Sequence, residues 1–143
     1  MVTCAAGFAL LQLTNPARTN PPVINDMVAA SAPPTHITAM LHAACYDCHS
    51  SETRWPWYSH VAPMSWLIVS DVREGRDRLN LSEWPTDAKR AARRLENMSS
   101  EISSGDMPLV KYTKMHADAR LTEAQRKELA EWLDGEAVRV EWK

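Results

Sequence analysis

Apolar residues recur at helical spacing in four stretches of this 143-residue chain. The first takes in Ile37, Met40, Leu41, Ala44, Cys45 and Cys48, with Thr35 in position to cap it. That spacing sets Cys45 and Cys48 one turn apart on a similar face near the C-terminal end of the helix, with His49 next in line. The second stretch starts at Pro63, a favoured first-turn residue, and runs through Trp66, Leu67, Val69 and Val72 to about Leu79. Its later turns alternate acidic and basic residues from Asp71 to Arg78, the pattern of a solvated face. Ala88, Ala91, Ala92, Leu95, Met98 and Ile102 form the third stripe, capped by Thr86 and ended by Gly105. The fourth is the best marked: Thr122 and Gln125 make a capping box, Leu129, Trp132 and Leu133 form the stripe, and Gly135 stands as a stop. Ser50 to His60 reads as an aromatic-rich loop, and a second loop runs from Asp106 through His116. With no sustained strand alternation and no internal repeat, the pattern predicts an all-α domain of about four helices.

The chain ahead of this domain divides in two. Met1 to Ala17 carry no charge, and Val2 to Leu13 are mostly apolar. Twelve residues of helix reach about 18 Å, short of the ~30 Å hydrocarbon core of a bilayer. With no basic region before the run and no convincing small-x-small cleavage site followed by a mature start, residues 1–17 read as part of an N-terminal membrane anchor or export signal, with Cys4 as one of its apolar residues; the other reading is a short N-terminal helix packed on the domain. Pro16, Pro21, Pro22, Pro33 and Pro34 then exclude a continuous helix, so residues 18–34 read as an extended tether and 35–143 as the folded domain.

Composition narrows the function. Hydrophobic residues make up 45% of the chain, enough for an ordered core. Sixteen Lys+Arg against eighteen Asp+Glu leave a net charge of −2, which excludes a strongly basic nucleic-acid binder. Four Gly and no phosphate-binding fingerprint argue against a nucleotide loop. Three Cys do not make a disulfide framework, and two of them fall in Cys45-Tyr46-Asp47-Cys48-His49. C-x-x-C-H is an attachment signal for c-type haem: two thiols one turn apart can form thioethers with one porphyrin, and the adjacent imidazole can ligate its iron. Two other chemistries use overlapping residues. Zinc could take Cys45, Cys48 and His49, but the sequence supplies no second ligand pair at the usual spacing. A redox dithiol could use C-x-x-C, but that motif normally opens a helix in an α/β pattern, and here it closes one.

A haem iron bound at His49 has an opposite position to fill. Met64, Met98, Met107, Met115, His36, His42, His60 and His116 are the candidates. Met107 is favoured, because it lies in a loop between Gly105 and Pro108 and can offer its thioether without distorting a helix. Met64, His60 and His116 come next. Arg54, Trp55, Trp57, Tyr58 and Trp66 either wall the haem, with Arg54 or an indole N–H meeting a propionate, or fill a small core.

Several strings carry a resemblance: C-Y-D-C-H-S-S-E-T-R-W-P-W-Y-S from Cys45 to Ser59, V-A-P-M-S-W-L-I from Val61 to Ile68, and D-V-R-E-G-R from Asp71 to Arg76. L-S-E-W from Leu81 to Trp84, G-D-M-P-L from Gly105 to Leu109 and H-A-D-A-R-L-T from His116 to Thr122 continue it, and T-N-P-P-V from Thr19 to Val23 resembles the segment that follows a membrane anchor. Over roughly residues 19–133 the chain resembles the bacterial haem-binding domain family of small c-type cytochrome-like modules. The resemblance implies a cytochrome c-like fold around one covalent haem c. Cys45 and Cys48 would hold the group, His49 would be the proximal ligand and Met107 the distal one.

The expected function is single-electron transfer through one haem to a redox protein partner, with no nucleic-acid partner. Covalent attachment and the partial anchor together place the protein outside the cytoplasm, in the periplasm or at the outer face of the inner membrane. The alternative is a haem-based sensor or peroxidase with a vacant or displaceable distal site.

Overall fold

The computed structural model describes residues 2–142, and the chain is helical there with no strand. In chain order the helices are α1 (Val2–Leu11), α2 (Met27–Ser31), α3 (Thr35–Leu41), α4 (Asp47–His49), α5 (Met64–Arg78), α6 (Ala88–Ser104), α7 (Val110–Met115) and α8 (Glu123–Glu141). The strongest stripes form the body. Along α6, Ala91, Ala92, Leu95, Met98 and Ile102 are buried, and they join Leu129, Leu133 and Ala137 of α8 in one core cluster. The expected ends hold where local chemistry sets them. The Thr122–Gln125 capping box is present, and Gly105 closes α6 in the left-handed region at φ 82°.

Elsewhere the structure differs from the sequence pattern. Asp87, not Thr86, caps α6: its carboxylate accepts from the Arg90 N–H at 2.8 Å. Helix α8 does not stop at Gly135 but continues to Glu141, because Glu136 and Ala137 are buried beyond it. That burial outweighs the ~1 kcal/mol a mid-helix glycine costs. The loop expected before His116 contains α7. The packed domain also reaches back past Thr35: α2 is capped by Asp26, and Met27 has no exposed surface. The prolines confine that helix to five residues.

The first predicted helix is interrupted. A π turn over His42–Tyr46 separates α3 from α4. Its i→i+5 bonding shifts the register of the next turn, and Cys45 packs against the core while Cys48 faces a cleft. No described helix is long and apolar enough to cross a membrane.

Candidate functional site

The end of α4 rests on α5 at Gly75. A Cβ at that position would stand 2.6 Å from the Cys48 carbonyl oxygen, so only glycine admits this approach. The closeness brings His49 to the last turn of α5, where its Nδ1 lies 2.9 Å from the Gly75 carbonyl and 3.1 Å from that of Leu79. Both partners can only accept, so Nδ1 donates and carries the proton of the neutral ring. Nε2 is left with a lone pair, the state a metal-ligating imidazole needs. The segment after α5 closes over the motif: the Leu81 N–H donates to the His49 carbonyl at 2.7 Å, and the Ser51 N–H to Ser82 Oγ at 2.9 Å.

Asp47, between the two cysteines, is buried and heavily engaged. It accepts from the Arg54 backbone N–H at 3.0 Å, from Arg54 Nε and Nη2 at 3.2 and 3.1 Å, and from the Tyr112 hydroxyl at 2.8 Å. It thereby ties α4 to the following loop and to α7. Tyr112 stacks on His116 at 4.0 Å between ring centres. His116 donates from Nδ1 to the Tyr112 carbonyl at 3.0 Å, so its Nε2 accepts from the Tyr58 hydroxyl at 3.1 Å. Burial first, then the bond to Asp47, pushes the Tyr112 hydroxyl well above its ordinary range, so it remains a donor. On the other side Arg76 donates to the Ser50 and Thr19 carbonyls, to Asn20 Oδ1 and to Thr53 Oγ1, all within 2.7–3.0 Å. Asp47, Gly75, Arg76 and Tyr112 were not singled out from sequence. The available signals were the place of Asp47 inside C-x-x-C and of Gly75 and Arg76 inside D-V-R-E-G-R.

A cleft of about 120 Å³ opens beside Cys48, between α4, α5 and α7. Its wall is mainly apolar, with Leu67, Ile68, Val72, Leu109 and Met115 among its members. Arg54 and Tyr58 line it as well, although the Arg54 guanidinium is engaged with Asp47. Met64 and His116 also reach it. Trp55, Trp57 and Trp66 do not: Trp55 donates to Asn20 Oδ1 at 3.2 Å, Trp66 donates to the Thr14 carbonyl at 3.2 Å, and Trp57 is exposed. Met107 is half-buried outside the cleft, its N–H on the Glu101 carbonyl at 3.1 Å, two residues before the cleft-lining Leu109.

Residues 6–135 match the family described as Haem-binding domain. The chain belongs to the haem-binding domain family. No curated protein and no solved structure matches it.

The residues of this haem-binding domain suit the group. His49 engages its Nδ1 and leaves Nε2 for a metal, and of the two thiols Cys48 opens on the cleft while Cys45 packs against the core. The cleft is smaller than the ~300–1,000 Å³ of a site that encloses a whole ligand, so a macrocycle bound here would be covered only in part. Met64, Leu67 and Met115, all exposed at its rim, offer apolar cover for the remainder. The competing chemistries lose ground. Among the described residues no three His, Cys, Asp or Glu side chains gather to hold a metal ion. Burial pushes Cys45 up to about 12 and Cys48 up to about 11, opposite to the lowered thiol of a redox dithiol.

Because Asp47 serves several donors at once, Asp47→Asn is expected to cost about 1–3 kcal/mol in stability. A lowered urea midpoint at unchanged m-value is the expected result, with a smaller loss for Tyr112→Phe, which removes one bond and no charge.

Proposed function

We propose that this haem-binding domain holds one haem c covalently and passes single electrons to a redox protein partner. When bound, the haem supplies an iron that gains and loses one electron. Cys45 and Cys48 hold the group as thioethers, and His49 Nε2 ligates the iron. The observation that carries this reading is the His49 clasp: the Gly75 carbonyl of α5 and the Leu79 carbonyl just past its end hold the ring through Nδ1 and leave Nε2 for a metal. Met107 is the proposed sixth ligand. It stands outside helical backbone, and a thioether there would raise the potential and close the iron to small ligands. Covalent attachment places the site of function outside the cytoplasm.

Expression with haem-maturation machinery tests the core of the proposal. Intact mass is expected to show the chain plus one haem, with a pyridine haemochrome of the c type; a chain of apoprotein mass rejects covalent attachment. Met107→Ala is expected to abolish the Met–iron charge-transfer band of the oxidised protein, while Met64→Ala and Met115→Ala keep it. Loss of the band in either of those variants instead moves the sixth ligand into the cleft.

A sensor or peroxidase remains the second reading, supported by the His116–Tyr58–Tyr112 group beside the cleft. Carbon monoxide separates the two. Inertness of the reduced protein supports the carrier, and rapid tight binding supports the sensor or enzyme.

A further inference from the structure

Helix α1 is apolar on every side and carries no charge, yet Cys4 through Leu10 are all exposed. Phe8 is 53% accessible, and Leu13 just beyond the helix is 82% accessible. A helix that docks on a protein shows an apolar stripe and a polar back; one that is apolar all round belongs in a protein interior or in lipid. Nothing in the described chain covers α1. Its ten residues reach about 15 Å, roughly half of a ~30 Å hydrocarbon core.

The root of α1 is fastened to the helix that walls the cleft. Gln12 and Ala62 exchange bonds, with the Ala62 N–H on Gln12 Oε1 at 2.9 Å and Gln12 Nε2 3.4 Å from the Ala62 carbonyl. Asn15 donates to the His60 carbonyl at 3.2 Å and accepts from the Ser65 hydroxyl. Trp66 donates its indole N–H to the Thr14 carbonyl. These bonds hold α1 to the turn before α5 and to its first turn. The same end of the molecule bears exposed Trp57 (78%), Trp66, Met64 and Leu67, the last two on the cleft rim. The polar residues Gln12 and Asn15 thus end the apolar run where the exposed indoles begin, the sequence of environments met on leaving a bilayer through its headgroups.

We propose that this face rests on a lipid bilayer. Helix α1 is inserted, Trp57 and Trp66 lie at headgroup level, and the clamped junction holds the cleft mouth at the membrane surface instead of letting the domain swing on a loose tether. Lipid is favoured over a protein partner or a second copy because α1 has no stripe for another helix to recognise.

The full-length haem-loaded chain, labelled with 5-fluorotryptophan, tests this in phosphatidylcholine vesicles and nanodiscs, whether or not the iron assignment holds. The chain is expected to float with vesicles. A lipid carrying a nitroxide near the headgroup is expected to broaden the fluorine signals of Trp57 and Trp66 several-fold more than that of buried Trp84, the signals being assigned by Trp57→Phe, Trp66→Phe and Trp84→Phe. The double variant Gln12→Ala/Asn15→Ala is expected to float still but to lose most of the Trp66 broadening. Floating with Trp57 and Trp66 no broader than Trp84 overturns the proposal, as does an unchanged Trp66 in the junction variant. Failure to float, with or without self-association, overturns it too.

Discussion

On the proposed attachment, His49→Ala is expected to leave haem in place but its iron without the His49 imidazole. Cys45 and Cys48 are untouched, so the intact mass should still include one haem. The low-spin visible bands should collapse toward a high-spin spectrum, because a methyl group replaces a nitrogen lone pair. The same change deletes the donor shared by the Gly75 and Leu79 carbonyls. Loss of that clasp is expected to lower stability by about 1–2 kcal/mol, part of it recovered by water at this half-buried position. A spectrum identical to that of the unaltered protein would assign the iron to another ligand.

Gly75→Ala is the second large effect, and its sign is opposite to that of ordinary helix propensity. In an open helix interior, alanine for glycine gains up to about 1 kcal/mol. At Gly75 the new methyl would meet the Cys48 carbonyl oxygen at 2.6 Å and its carbon at 3.2 Å, both backbone atoms that no rotamer change can move. Relief requires α4 to move off α5, which stretches the His49 clasp and displaces Cys48. The expected net loss is about 1–3 kcal/mol, the cost of overpacking, with less haem incorporated per chain. Gly135→Ala is the control. It lies inside α8, with φ outside the left-handed region and nothing within 4 Å of an added Cβ, so a gain of about 0.4–1 kcal/mol is expected. Urea midpoints of the two variants should therefore move in opposite directions. A matching gain at Gly75 would show that α4 and α5 do not approach as described.

The features legible in the sequence depend on residues a few positions apart. The stripes of α6 and α8, the Thr122–Gln125 box and the Gly105 terminus come from periodicity and capping, whose partners lie within one or two turns. The C-x-x-C-H motif belongs to the same class: its spacing alone points to haem, in agreement with the family of the chain. Features set by competition between elements were not legible. The stop expected at Gly135 yields to burial of Glu136 and Ala137. Met27 joins the core from a stretch whose prolines suggest only a tether.

The site divides along the same line. By itself the sequence determined the all-α class and singled out the two cysteines and the histidine as candidates, because each is a matter of local spacing. Only the tertiary structure decided which nitrogen of His49 is free, since the carbonyls that settle it lie 26 and 30 residues away. It alone also placed Asp47 under Tyr112, 65 residues on, and Arg76 across the loop from Ser50 to Thr53. A side chain read in isolation has several possible partners. The packing of α4 against α5 and α7 removes all but one set, because buried donors and acceptors must be satisfied where the backbone leaves them.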